Sequence, residues 1–444
     1  MPGMEARGDG VLGLSLLAPG FGAGEPAGSS WLSRLKAEAA RDFAAQGLPT
    51  RRREAWKYTD LKPLAEIAFR APVADDSASV RTLSDLLELP PPEGSRLVFV
   101  HGRYRPDLSF CDLSEAGVSM SPFNAGTGDD KALAARLLGR IATAADQPLV
   151  ALNTAGMEDG LCIHVHAGVR LQRPIEIVSL GSAASEPLAW HGRTLIVLDD
   201  GARATVIERQ CAPAEMPAPA LVNAVTEIAL GAAAQLCHYR QQALGTTGFH
   251  INAVAATLGT DAVYEAFTLT TGGGLVRNET SVTLDAPGAE TRLAGAYLVD
   301  GSQHLDTTTL IEHRAPRTTC REVFKGVVDG TAEAVFQGRI VVQRDAQGTN
   351  ADQLSKALLL SDGARVNQKP ELEIYADDVK CSHGAAAGQI DREALFYLRS
   401  RGVPASVAQR LLIEGFLGDA LSQISDAAVR EAFSQTAFAW LQDR

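Results

Sequence analysis

Leu230-Gly231-Ala232-Ala233-Ala234, Leu258-Gly259-Thr260-Asp261-Ala262 and Pro287-Gly288-Ala289-Glu290 are small-residue turns set at nearly equal intervals along the chain. Asp200-Gly201-Ala202-Arg203-Ala204 precedes them, and Gly201, Gly231, Gly259 and Gly288 recur roughly every thirty residues. Asp329-Gly330-Thr331-Ala332-Glu333 and Asp362-Gly363-Ala364-Arg365 continue the series with a drifting spacing. The runs between and around the turns alternate apolar with polar residues. Examples are Leu161–His166, Val222–Ile228, Asp261–Phe267 and Glu371–Tyr375. Alternation of this kind puts successive side chains on opposite faces of a strand. Strand–turn–strand content at a period near thirty predicts a solenoid of β-coils. Helical crossovers between the strands are missing, which disfavours a doubly wound α/β sheet. A β-helix fits the pattern best; a β-sandwich or jelly roll is the competing arrangement, since regularly spaced strands suit those folds too.

The flanks read differently. Ser30 caps an expected helix to about Gln46, with Trp31, Leu32, Leu35 and Phe43 as its apolar face. A helical piece is expected near Thr82–Leu89, a strand at Leu97–Val100, and a helix from Asp130 to about Ala145. From Pro148 to about Tyr375 the texture is that of short strands. After Asp391 three helical segments are expected, the second from about Ala405 to Ile424 and the third opened by Ser425-Asp426. Helices at that end are expected to cap the final coil of the solenoid. The resulting division is an N-terminal arm and mainly helical region (1–147), a β-helix core (148–384) and a C-terminal helical domain (385–444).

Composition narrows the function. The chain has 444 residues, 45% of them hydrophobic, and a net charge of −12. A Lys/Arg deficit disfavours nucleic acid and anionic membranes as partners. The six cysteines, Cys111, Cys162, Cys211, Cys237, Cys320 and Cys381, form no Cys-x-x-Cys pair. Structural zinc and a disulfide framework are therefore unsupported, and a reducing, cytoplasmic setting is expected. Residues 1–29 read as a loose arm; Glu5 and Asp9 beside Arg7 do not make the basic flank of a signal peptide. No apolar run is long enough to span a membrane.

The sequence lacks a P-loop, a Gly-x-Gly-x-x-Gly dinucleotide fingerprint opening a βα unit, a nucleophile elbow and a His-Glu-x-x-His motif. His164 and His166 share one strand face and could bind a metal, but no third ligand lies near them in sequence; solvated histidines are the plainer reading. His304 and Asp306 share a face if their segment is extended, as a carboxylate-oriented histidine or as a satisfied surface pair. The densest constellation is Asp377-Asp378-Val379-Lys380-Cys381-Ser382-His383-Gly384. On a continuing strand Cys381 and His383 project to one side. Thiolate and imidazole are ligands that iron and iron–sulfur clusters use. Two ligands do not complete such a site, so a second subunit would have to supply the others, or the pair is a surface turn.

That run, followed by Asp391 and by Leu395-Phe396-Tyr397-Leu398-Arg399-Ser400-Arg401-Gly402, resembles the signature of the SufB/SufD family. Lys369–Ile374, Ala334–Gly338, Gln303–Asp306 and His313 are similar to that family as well. Glu54-Ala55-Trp56-Lys57-Tyr58-Thr59 is similar to the SufD-type branch. One departure is Gly384-Ala385-Ala386-Ala387, where the family often has Gly-Ala-Thr. The resemblance implies a mainly β protein with a right-handed parallel β-helix between helical N-terminal and C-terminal regions. It implies a non-enzymatic scaffold for iron–sulfur cluster assembly that pairs with a SufB-like subunit and docks a SufC-like ATPase on its C-terminal helices. The expected cofactor is a transient iron–sulfur cluster shared with the partner, none being tightly bound to the isolated chain. His383 is the implied assembly residue, with Cys381 second, and His304, Asp306, Asp377 and Asp378 are candidates for supporting roles. A homodimer is expected when the partner is absent. Two other readings remain: a SufB-like primary scaffold, and a polysaccharide-acting β-helix enzyme using Asp306, His304 and Arg317.

Overall fold

A computed structural model of the chain describes residues 30–72, 94–111, 117–123, 128–181, 184–212 and 217–442. The arm 1–29 and the helical piece expected near Thr82–Leu89 lie outside the described residues. The N-terminal part holds helix α1 (Trp31–Gln46), a 3-10 turn at Glu54–Trp56 and a short α2 (Lys62–Ala65). Ser30 caps α1 as expected, its Oγ accepting from the Ser33 amide at 3.2 Å. Strands β1 (Ser95–Val100), β2 (Arg103–Tyr104) and β3 (Val118–Pro122) come next, then α3 (Gly128–Leu137) and α4 (Pro148–Gly156).

The solenoid strands are β4 (Leu161–Val165), β5 (Ile175–Leu180), β6 (Leu188–Leu198), β7 (Arg203–Cys211), β8 (Ala220–Leu230), β9 (Gln235–Ala243), β10 (Gly248–Leu258) and β11 (Val263–Thr270). They continue as β12 (Leu275–Leu284), β13 (Glu290–Val299), β14 (His304–His313), β15 (Thr319–Val328), β16 (Glu333–Val342), β17 (Thr349–Leu359), β18 (Arg365–Ile374) and β19 (Val379–Gly388). Successive strands alternate between two sheets. One is ten-stranded, in the order β19-β17-β15-β13-β11-β9-β7-β5-β1-β2; the other is nine-stranded, β18-β16-β14-β12-β10-β8-β6-β4-β3. Neighbours from β4 to β19 are parallel and pair one coil apart, as Leu275 with His304 and His304 with Glu333. The fold is a mainly β, parallel β-solenoid, not a sandwich.

Stacking of the turns explains the glycine rhythm. The Gly231 amide donates to Leu198 O and the Gly259 amide to Leu230 O, both at 2.8 Å. A Cβ on Gly231 would sit 2.8 Å from the Asp200 nitrogen, so successive turns are too close for a side chain there. The left-handed residue of those turns lies two positions on, at Ala233 (φ 55°) and Asp261 (φ 54°).

Inside the solenoid, Leu236, Tyr264, Leu293, Phe324 and Phe336 belong to one continuous apolar core. Burial of each large side chain contributes roughly 1.5–3 kcal/mol before chain entropy is counted. The outer face of the nine-stranded sheet is covered by the N-terminal helices: Phe43, Trp56, Leu64, Leu149 and Leu152 pack with Leu221, Ile251 and Leu275. The buried Glu227 carboxylate ties the loop after α3 to β8. It accepts from the amides of Gly139 (2.8 Å), Ile141 and Ala142 (both 3.0 Å) and from Arg193 at 2.5 Å.

The C-terminal helices are α5 (Arg392–Ser400), α6 (Ala405–Leu421) and α7 (Ala427–Gln442). They do not cap the last coil, contrary to the expectation above. Ile413, Leu417, Phe433 and Trp440 instead cover the outer face of the ten-stranded sheet, against Ile207, Tyr239, Phe267, Leu298 and Val327. That flank presents apolar residues from five neighbouring strands, β7, β9, β11, β13 and β15, for the helices to bury. Polar pins reinforce the contact: Lys325 Nζ donates to Phe416 O at 3.0 Å, and the Ser425 amide to Glu265 at 2.9 Å.

Three further differences have local causes. α3 stops at Leu137, short of the expected Ala145, because Gly139 takes φ +74° and ends the helical path. α4 stands where strands were expected; all nine of its residues are buried, so it shows no helical polar stripe. The strand array is also wider than residues 148–384, since β1–β3 join it from the N-terminal side and β19 runs to Gly388. Phe433, fully buried and 6.1 Å from Phe267 edge-on, is central to the flank contact. Phe433→Ala should cost about 3–5 kcal/mol and loosen α6 and α7 first, as read by limited proteolysis alongside denaturant melts.

Candidate functional site

With its flank rather than its end covered, the solenoid finishes in an open coil. No residue of β19 and no residue of β18 is fully buried, whereas β16 beneath is buried at eight of ten positions. Each is the terminal strand of its sheet, so its outer backbone edge has no strand partner. Edges of this kind are templates for pairing with another chain. Pro370, which has no amide hydrogen to donate, and Lys369 lie on β18, features that limit indiscriminate pairing. Ile374 and Tyr375 at the end of β18 are 41% and 59% exposed.

Cys381 and His383 stand on β19 two residues apart, as the sequence pattern requires for a shared face. Their register neighbours are Ala351 and Gln353 on β17, and below those Cys320 and Glu322 on β15. Cys381 packs against the interior core, so this face is the one turned toward the lumen. Burial raises the Cys381 thiol above its ordinary range. That favours the neutral thiol, which would have to lose its proton before serving as a metal ligand. His383 is exposed. The open coil therefore offers one sulfur and one nitrogen ligand on a fixed strand, with room for ligands from outside. Asp377 and Asp378 are exposed at the turn entering β19, where the Asp378 amide donates to Gln347 Oε1 at 2.9 Å.

Beneath His383 lies a polar column that sequence inspection passed over. Gln353 Nε2 donates to Glu322 Oε2 at 2.5 Å, and Glu322 is fully buried. Burial pushes the Glu322 carboxyl up to about 7, against the opposing pull of its hydrogen bonds. The signal was present: residues 322, 353 and 383 lie one solenoid period apart, so a polar residue at each predicts a stacked column.

His304 and Asp306 are brought together, but elsewhere. They stand on β14, inside the nine-stranded sheet and on its outer face, while His383 belongs to the other sheet. Thr59 Oγ1 donates to Asp306 Oδ2 at 2.5 Å and lies 3.0 Å from His304 Nε2. Asp306 is also ion-paired with Arg277, whose guanidinium stacks 3.9 Å over the Trp56 ring and donates to Ala55 O at 2.9 Å. Lys369 reaches Glu54 at 2.6 Å. Gln337 Nε2 donates to Ala55 O at 3.2 Å, so the scattered motifs 54–59, 304–306, 337 and 369 form one latch that holds the N-terminal segment on the solenoid. Burial lowers the His304 pKa, which keeps the ring neutral inside this latch. His313 is buried with Thr318 at 2.7 Å from its Nδ1, and Arg317 is a turn residue with φ 58°.

The Glu322 column carries a pH signature. Its folded pKa is raised, so the folded state holds the extra proton between about pH 4.5 and pH 7, and this contribution to stability is lost as pH rises through about 7. Glu322→Gln should remove that slope, on the order of 3 kcal/mol across the window, in denaturation curves taken at pH 5, near the lower end of the window, and at pH 8, above its upper end.

Comparison with known proteins agrees with this architecture. A family profile described as the SufBD core domain of the SUF system for FeS cluster assembly matches residues 180–416, and the SufBD protein N-terminal region matches residues 25–177. An iron–sulfur cluster assembly SufBD family protein of Synechocystis is 34% identical over 396 residues, covering 87% of this chain and 86% of that protein. The iron–sulfur cluster assembly protein SufD of Escherichia coli is 32% identical over 388 residues, 87% of each chain. The SufD of Bacillus subtilis is 29% identical over 290 residues, 64% of this chain and 65% of its own. The chain belongs to the SufBD family of iron–sulfur cluster assembly proteins and is a homologue of SufD.

Proposed function

We propose that this chain is the SufD-type scaffold subunit of a SufBCD-like complex, seated through its open last coil against a SufB-like subunit. The observation that carries this reading is the end of the solenoid. Two strand edges without partners, the exposed Ile374 and Tyr375, and the Cys381–His383 pair all lie there. Main-chain pairing gives a strand edge affinity, and the exposed apolar pair adds burial. A cluster assembled at that seam would take His383, with Cys381 second, from this chain and its other ligands from the partner. The cluster is then cargo, shared and transient, and not a resident cofactor. In the absence of that partner the same edge can join two copies of this chain.

The C-terminal helices suit an ATPase dock. α5 has no buried residue, and Phe396 and Tyr397 on it are 73% and 57% exposed, with Leu411 on α6 at 46%. An apolar surface of this kind marks a protein contact. ATP hydrolysis would belong to the SufC-like partner, in keeping with the missing P-loop here. Among the described residues no helix is long and apolar enough to cross a membrane. The polysaccharide-enzyme reading loses its acid: Asp306 is fully buried and tied to Arg277 and Thr59, so no polymer reaches it.

The test is co-expression of tagged chain with SufB-like and SufC-like proteins, followed by anaerobic absorption spectroscopy of the purified complex. His383→Ala should leave the three-component complex intact and remove most of its cluster absorption. Full cluster yield in the variant would show that His383 is not the assembly residue, and failure of the chain to hold either partner would overturn the scaffold reading.

A further inference from the structure

At the other end of the solenoid, away from the Cys381–His383 coil, lies a second set of metal-binding side chains. His164 projects from the outer face of β4, His166 follows that strand directly, and Asp199 follows β6, the neighbouring strand. Register brings them together: Val165 pairs with Leu198, and the Asp199 amide donates to Val165 O at 2.9 Å. His164 Nε2 lies 2.9 Å from Asp199 Oδ2, and His166 Nδ1 lies 3.9 Å from the same oxygen. The two imidazole rings meet edge-on with centroids 4.3 Å apart. One ligand atom from each residue falls within 4.8 Å of the others. Sequence alone showed only the histidine pair; the third ligand comes from the adjacent coil.

We propose that His164, His166 and Asp199 form a binding site for a divalent first-row transition ion of the Zn²⁺ or Fe²⁺ type. Two nitrogens and one carboxylate oxygen at metal-ligand bonds of about 2.0–2.2 Å are separated from one another by roughly 3–3.5 Å. The observed separations bracket that range, so small side-chain rotations close the set. Two imidazoles select borderline ions over Mg²⁺ and Ca²⁺, which take oxygen ligands. The site is rigid, because both histidines stand on or beside a paired strand and Asp199 is fixed by its backbone. It is also reachable, with side-chain exposures of 15%, 55% and 41% for His164, His166 and Asp199. Asp130, Ser119 and Arg136 line a cavity together with His164 and His166, and the Asp130 carboxylate is occupied by Ser119 (2.7 Å) and Ser121 (3.1 Å). Three protein ligands leave at least one position open, so this is a site from which an ion can exchange.

The experiment is calorimetric titration of the full chain with Zn²⁺ and, anaerobically, with Fe²⁺, with Mg²⁺ as the control. It is run in a Cys381→Ala/His383→Ala background so that the far site cannot contribute. One ion per chain is expected, Mg²⁺ giving no saturable heat, and the tighter of the two transition ions identifies the site's metal. His166→Ala, at an exposed position, and Asp199→Asn should each weaken binding by more than about tenfold while leaving the melting temperature of the metal-free chain unchanged. Absence of saturable binding for both ions, or binding that survives both substitutions, would overturn the proposal.

Discussion

Each rung of a parallel solenoid is hydrogen-bonded to the rung one coil away, and that register is the constraint on which the rest of this molecule depends. It demands a near-constant coil length, which is why small turn residues recur and why Gly231 cannot carry a side chain against the turn below. It also turns residues distant in sequence into neighbours. Glu322, Gln353 and His383 become one column, and Asp199 comes beside His164 and His166. The same register cannot be satisfied at the last coil, where β18 and β19 have a rung on one side only. A backbone edge left unpaired is a liability in a lone chain and an asset in a subunit.

The helical layers complete the design by what they cover and what they omit. The N-terminal segment seals the outer face of one sheet through the latch of Trp56, Arg277, Thr59 and Asp306, all buried. The C-terminal helices seal the outer face of the other sheet through Leu417, Phe433 and their neighbours. The N-terminal segment touches the final coil through the Glu54–Lys369 ion pair, but neither layer buries the residues of β18 and β19. Stability therefore comes from the flanks, and the end that carries Cys381 and His383 stays available for a partner.

How much of this was legible in the sequence follows from the same physics. Short-range patterns were readable: strand alternation, the turn glycines, the Ser30, Asp391 and Asp426 helix starts, and the Cys381–His383 spacing. α4 was not, because a short run buried on all sides has no periodic polar face to distinguish helix from strand. The placement of the C-terminal helices was not, because their apolar stripes show that they cover something without showing what. His304 and Asp306 looked like surface chemistry, and only the fold shows that Thr59 and Arg277 close over them. The column under His383 and the third ligand beside the histidine pair depend on register across coils, which a residue-by-residue reading does not contain.

The central claim is that the β18–β19 edge is open in the isolated chain and filled in the assembly. Hydrogen–deuterium exchange of these two strands, measured on the chain alone and again in complex with a SufB-like subunit, tests it most directly. The account predicts fast exchange of the outward amides of residues 365–388 in the monomeric chain, and strong protection on binding, with β8–β16 protected throughout. Equal exchange in the two states, with protection appearing on some other face, would contradict it.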